Sequence, residues 1–224
     1  MSKAEQTKQK IVETAAIIFN QNGYAGTSIA DIMKMTGLQR GGIYHHFKTK
    51  DDIAIAAFDY TLNLIVAAAI ANVGKQDTAI DRLHAFIDSF RGFTTQQLVA
   101  GGCPILNTAV ESDDTHPALR LHVQQAVNEI RALIGSIVEL GIRQGEIIVN
   151  TDIEQVSTIL FVTIEGAIMM SKLYSNDIHL DRAIAHLHQY INALAKPIQT
   201  WVAPYGAVRM ALVAGEQLFT EALR

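Results

Sequence analysis

One cysteine and four prolines are all that this 224-residue chain contains. A single thiol excludes an internal disulfide and fits a reducing, cytoplasmic compartment. The prolines and the 15 glycines are spread out, with no low-complexity run and no repeat. Charge is also sparse, at 18% of residues against 49% hydrophobic, which excludes a disordered chain and allows a sizeable core. No convincing alternation of apolar and polar residues appears, so strands are not expected. The opening MSKAEQTKQK is polar and charged, unlike a secretory signal.

One long apolar run is present. Residues 53–73, IAIAAFDYTLNLIVAAAIANV, approach the ~20 residues that a bilayer span needs. Asp59 and Asn63 would lie inside such a span without partners, at high cost. A helix buried between two layers of a soluble protein is expected instead, with no membrane as partner.

The formal net charge of −4 is unevenly placed. Residues 1–50 carry seven Lys/Arg against three acids, a net of +4, and the remainder carries 11 against 19, a net of −8. A basic end on an acidic body suits a polyanion at that end and a different partner elsewhere.

Helical periodicity runs through the chain. A first helix is expected over 4–22, its stripe made by Ile11, Val12, Ala15, Ile18 and Phe19, ended by Asn22-Gly23. Thr27 and Ser28 can cap a second helix to about Met35, with Asp31 in capping-box position. Gly37 breaks it, a third short helix follows over 39–47, and Thr49 caps a fourth that opens with Asp51-Asp52. Further helices are expected at 77–97, 104–111, 117–144, 152–174, 179–203 and 207–223. The expected fold is all-α, with a helix-turn-helix domain over 1–50 and an α-helical ligand-binding and dimerisation domain over 51–224.

Two short helices joined by a glycine turn are the parts of a helix-turn-helix, whose second helix enters the DNA major groove. Gln39 and Arg40 carry side chains able to read base edges. Gly41 and Gly42 weaken a helix interior by roughly 1 kcal/mol each relative to alanine, a cost that makes sense where the backbone must lie close to a groove or phosphate. Tyr44, His45, Lys48 and Lys50 can donate to phosphates, and the start of the second helix at Thr27 and Ser28 offers another anion site.

At these residues the chain resembles the tetracycline-repressor (TetR) family of transcription regulators. The likeness is carried by GYAGTS ahead of the second helix, TGL at the turn, and GGIYHHFKTK closing the third helix, and covers roughly the first 55 residues. Met33 departs from it, standing where the family places a small residue. The resemblance implies a homodimer on a roughly palindromic double-stranded operator, an all-α effector domain, and a small-molecule effector whose binding moves the long fourth helix. It implies no cofactor and no enzymatic activity.

In the body, residues 156–173 and the stripe after them offer a candidate dimer face: Ile164, Gly166, Ala167, Ile184, Leu187 and Ile191. Candidate walls for an effector pocket are Phe58, Leu62, Phe86, Phe90, Phe93, Met169, Met170 and Tyr174. Cys103, after Gly101-Gly102 and before a helix, is a candidate too; its surroundings resemble those family members in which such a cysteine senses electrophiles or oxidants. A cysteine-dependent enzyme is the competing class, but no sequence feature fixes a base for Cys103. The histidines at 84, 116, 122, 179, 186 and 188 show no metal-site spacing, so no metal is expected.

Overall fold

The computed structural model describes residues 2–96 and 98–197, and in these it is α-helical, with one isolated two-residue bridge between Ile147 and Ala195. The helices are α1 (Lys3–Asn22), α2 (Ile29–Thr36), α3 (Arg40–Tyr44), α4 (Lys50–Val73), α5 (Ala79–Asp88), α6 (Pro104–Ser112), α7 (Pro117–Gln144), α8 (Ile153–Tyr174) and α9 (Ile178–Leu194).

Local punctuation sets most of these bounds. Ser28 and Asp31 form a reciprocal capping box on α2, and Thr49 and Asp52 form another on α4. Gly37 ends α2 in the left-handed conformation, φ 70° and ψ 11°, its N–H donating to the Met33 carbonyl at 2.9 Å.

Three helices are shorter than the sequence pattern predicts. α3, expected over 39–47, spans only Arg40–Tyr44, and the His45 amide closes its last turn on the Gly41 carbonyl. α5 stops at Asp88, not 97: Ser89 Oγ donates to the Phe86 carbonyl at 2.6 Å, and Gly92 turns the chain at φ 69°. Phe90 and Phe93 continue the apolar pattern from this turn and still pack on the core. α9 stops at Leu194, where the strand-like pairing with 146–148 and then Pro197 redirect the backbone. The expected helix at 207–223 and the end of the one at 179–203 lie outside the described residues.

Two apolar clusters hold the chain together. The smaller joins α1, α2, α3 and the start of α4, with Ile11, Ile32, Ile43 and Ile53 wholly buried. Each such side chain stabilises the cluster by roughly 2 kcal/mol. Met33 is half-buried and packs against it, so the bulkier residue is absorbed at the cluster's edge. The larger cluster joins α4 through α9. α4 belongs to both: Ile53 and Ala57 face the small cluster, Phe58, Ala69 and Val73 the large one. α4 is thus shared between the head formed by α1–α3 and the body formed by the later helices.

α4 and α8 are each long and apolar enough to cross a membrane by length and composition. In this fold both pack between other helices, α4 against α1 and α5, α8 against α7 and α9.

Candidate nucleic-acid interface and effector cavity

Gln39, Arg40, Gly41, Tyr44, His45 and Lys48 are all exposed around α3, with Gly42 half-buried. Ile43 between them is wholly buried and anchors the helix to the small cluster. Arg40 lies over the Tyr44 ring, 5.5 Å from its centroid, as i,i+4 neighbours on one helix face can. Neither glycine of the pair has a positive φ. Among the described residues, a Cβ on Gly41 would meet nothing within 4 Å, and one on Gly42 only Leu38 Cβ at 3.9 Å. The described residues give no reason for two glycines here.

Two of the predicted phosphate contacts are otherwise employed. Thr27 is 1% exposed, and its hydroxyl donates to the Gly23 carbonyl at 2.7 Å. Lys50 Nζ donates to the Tyr24 carbonyl at 2.5 Å and sits 4.0 Å above the Tyr24 ring. Both residues shape the base of the head. Ser28 is exposed, but its amide and hydroxyl are held by the Asp31 carboxylate at 2.8 and 2.6 Å.

Around Tyr24 the head is tied to the body, a joint that the sequence did not reveal. Glu111, near the end of α6, accepts from the backbone amides of Tyr24 and Ala25 at 2.5 and 2.6 Å. The Tyr24 hydroxyl donates to Asp51 Oδ1. Burial, helped by that bond and the Asp51 charge, pushes the phenol up to about 12, while the same bond holds the Asp51 carboxyl below its ordinary value. His116 Nδ1 accepts the Leu119 amide at 3.2 Å, so its proton lies on Nε2, 3.4 Å from the same Asp51 oxygen. One turn earlier on α6, Asn107 Nδ2 donates to Asn20 Oδ1 at 2.9 Å, and Asn20 in turn donates to the Gly102 carbonyl at 2.9 Å. The contacts of Glu111, Asn107 and Asn20 span more than 80 residues of sequence, beyond the reach of any local pattern.

The other end of α6 borders a narrow cavity of about 30 Å³ lined from α4, α5 and the turn after it, α6, α7 and α8. Leu62, Phe86, Phe90, Phe93 and Cys103 line it as the sequence suggested, with Ile164 and Glu165. So small a space means that an occupant larger than water must spread the walls. Phe58 lines a neighbouring recess with Phe19, Tyr24 and Leu119. Met169 and Tyr174 are exposed, at 47% and 58%, and Met170 is half-buried outside the cavity wall. Their placement removes all three from the wall, because α8 turns their face outward.

Glu165 was not foreseen, although a lone acid within the apolar run VTIEGAI is a visible signal. Burial pushes its carboxyl up to about 7, only partly offset by the Cys103 thiol donating to Oε1 at 3.1 Å. With the folded value above the ordinary 4.5, this group withdraws stability as pH rises from about 4.5 towards 7. Cys103 is 6% exposed, and burial, with Glu165 beside it, pushes the thiol well above its ordinary value. A thiol so held is a poor nucleophile. Alkylation by iodoacetamide at neutral pH is expected to be at least ~100-fold slower in the native protein than in denaturant, followed by mass spectrometry. Labelling at the rate of a free thiol would overturn this placement and revive the sensor reading.

The sequence matches the family model of bacterial regulatory proteins, tetR family, over residues 11–57, and that of the tetracyclin repressor-like C-terminal domain over 79–187. A TetR transcriptional regulator of known structure from Chloroflexus aurantiacus is 40% identical, with a TM-score of 0.83, and the match covers 87% of this chain and 98% of that one. The chain belongs to the TetR family of transcriptional regulators. Like other TetR-family proteins it is a DNA-binding regulator and not an enzyme. Among curated relatives, the transcriptional regulator CymR of Pseudomonas putida is 25% identical over 169 residues, 75% of this chain and 81% of its own. The negative transcriptional regulator IcaR of the Staphylococcus aureus biofilm operon is 33% identical over 87 residues, 37% of this chain and 45% of its own.

The predicted dimer residues divide in this TetR-family body. Ile164, Ile184, Leu187 and Ile191 are at most 2% exposed and belong to the subunit's own core, since the α9 stripe faces inward. Ala167 is also buried, and only Gly166 lies open. Next to Gly166 the outward face of α8 carries Val162, Met169 and Leu173, exposed by 51%, 47% and 72%. Those four positions follow i, i+4, i+7, i+11 spacing and so form one apolar stripe.

Proposed function

We propose that the chain acts as a cytoplasmic homodimeric repressor, each subunit setting α3 into one half-site of an inverted-repeat operator, and that a small apolar effector entering the cavity releases it. The observation that carries this reading is the course of α6. Its first residues border the cavity, and its last turns grip Asn20 and the amides of Tyr24 and Ala25 beneath the head. Spreading the cavity walls would shift a rod whose far end holds the reading head. Two heads must meet successive major grooves ~34–36 Å apart, so a small tilt forfeits half of the contacts. The effector acts only through its different affinity for the two arrangements.

Selection of bound sequences from random duplex DNA with purified protein tests the reading. An enriched inverted repeat, bound by a dimer and lost as salt is raised, is expected. Absence of any enriched duplex at low salt would contradict it.

The exposed α8 stripe supplies the dimer contact in this reading, with Gly166 allowing close approach. Leu173→Glu with Met169→Glu is expected to weaken dimerisation at least ~100-fold in sedimentation equilibrium, leaving helicity intact because both side chains are exposed. An unchanged dimer would move the interface elsewhere.

A further inference from the structure

Among the described residues lining the cavity, Glu165 is the one that can carry a full charge at neutral pH. Its Oε1 is met by the Cys103 thiol, whereas its Oε2 is buried and has no partner among the described residues. A buried carboxyl oxygen left unpaired is costly, and the rest of the wall cannot relieve it. Three aromatic rings stand in the same cavity: Phe86 and Phe90 with centroids 5.5 Å apart and edge to face, and Phe93 6.0 Å from Phe90. Ring faces attract cations and shelter apolar bodies alike.

Resting on the effector reading above, we infer that the cavity takes a lipophilic organic cation, a protonated amine on an apolar body, whose N–H donates to Glu165 Oε2 while Phe86, Phe90 and Phe93 enclose the rest. An organic anion would face a carboxyl with no basic side chain among the described residues of the wall to offset it. A purely apolar molecule would leave Oε2 as unpaired as before. Burial keeps the Glu165 proton near the point of release, at about 7, so an incoming ammonium can displace it to solvent and bind the carboxylate. Lys172, on the same helix, donates from Nζ to the Gly101 carbonyl and is not among the residues that line the cavity.

Three probes of equal apolar body separate the possibilities: phenylbutylamine, phenylbutanol and phenylbutyrate, titrated calorimetrically against the full-length dimer at neutral pH. The amine is expected to bind at least about tenfold more tightly than the alcohol, the carboxylate most weakly, with proton release seen as a heat that depends on the buffer. Glu165→Gln should erase the advantage of the amine and retain operator binding, which certifies the fold of the variant. Equal binding of amine and carboxylate, no binding by any of the three, or an amine preference that survives Glu165→Gln would overturn the inference. Operator binding by the same wild-type preparation keeps the two readings apart: if it is present while the amine preference is absent, the ligand class fails and the regulator stands.

Discussion

Replacing Gly41 and Gly42 together by alanine is expected to raise the melting temperature and lower operator affinity at once. The two effects have separate causes. Within the subunit, neither glycine has a positive φ, and neither added methyl group would meet anything closer than 3.9 Å. Alanine therefore gains its ordinary helical advantage, roughly 0.5–1 kcal/mol at each site, or a few degrees for a chain of this size. On DNA the same methyl groups stand where bare backbone would approach the duplex, between exposed Arg40 and Tyr44. A loss of about ten- to a hundredfold in operator affinity is expected, equivalent to roughly 1.4–2.7 kcal/mol. Thermal denaturation and operator titration of the same preparation read both. A fall in stability would mean that the fold itself needs these glycines. Unchanged affinity would mean that the bare backbone touches nothing.

The second large effect belongs to Glu111. Its carboxylate holds two backbone amides of the α1–α2 loop at 2.5 and 2.6 Å, joining body to head through charge-assisted bonds. Such bonds contribute about 1.5–3 kcal/mol each when buried. Here the amides lie partly open to water, so Glu111→Ala is expected to cost only about 2 kcal/mol in total. The functional loss should be larger than the loss of stability. With the far end of α6 freed, the operator is still bound, but an effector in the cavity no longer releases it. Gly23 provides an independent test of the same joint. Its φ is 77°, and a Cβ there would stand 2.6 Å from the Glu111 carboxylate, so Gly23→Ala should strain the loop and push that carboxylate away. Operator release measured against effector concentration should be blunted in both variants. Full release in both would mean that the cavity speaks to the head by another route.

What the sequence made legible follows from the range of each interaction. Capping boxes and the Gly37 turn act within four residues, and the corresponding bounds of α2 and α4 agree with the pattern. The exposed set around α3 could also be read, because its six members flank the buried Ile43. Long-range partners could not. Lys50 reads as a free cation and is in fact folded onto Tyr24, 26 positions away. Thr27 reads as a cap and is buried against Gly23. The α9 stripe of Ile184, Leu187 and Ile191 has the same periodicity whether it faces a partner or its own core, and only the packing of α8 and α5 around it decides. Periodicity also ran past the true end of α5, since the phenylalanines of the following turn keep the helical spacing without the helix.

In the proposed complex, phosphate-directed and backbone contacts around α3 hold the duplex. Operator affinity measured against salt, for wild type, Lys48→Ala and Tyr44→Phe, separates these contacts from any other mode of binding. Wild type should weaken steeply as salt rises; Lys48→Ala should flatten that dependence by about one counterion, and Tyr44→Phe should lower affinity at every salt with the slope unchanged. A wild-type slope near zero, or three superimposable lines, would contradict the account.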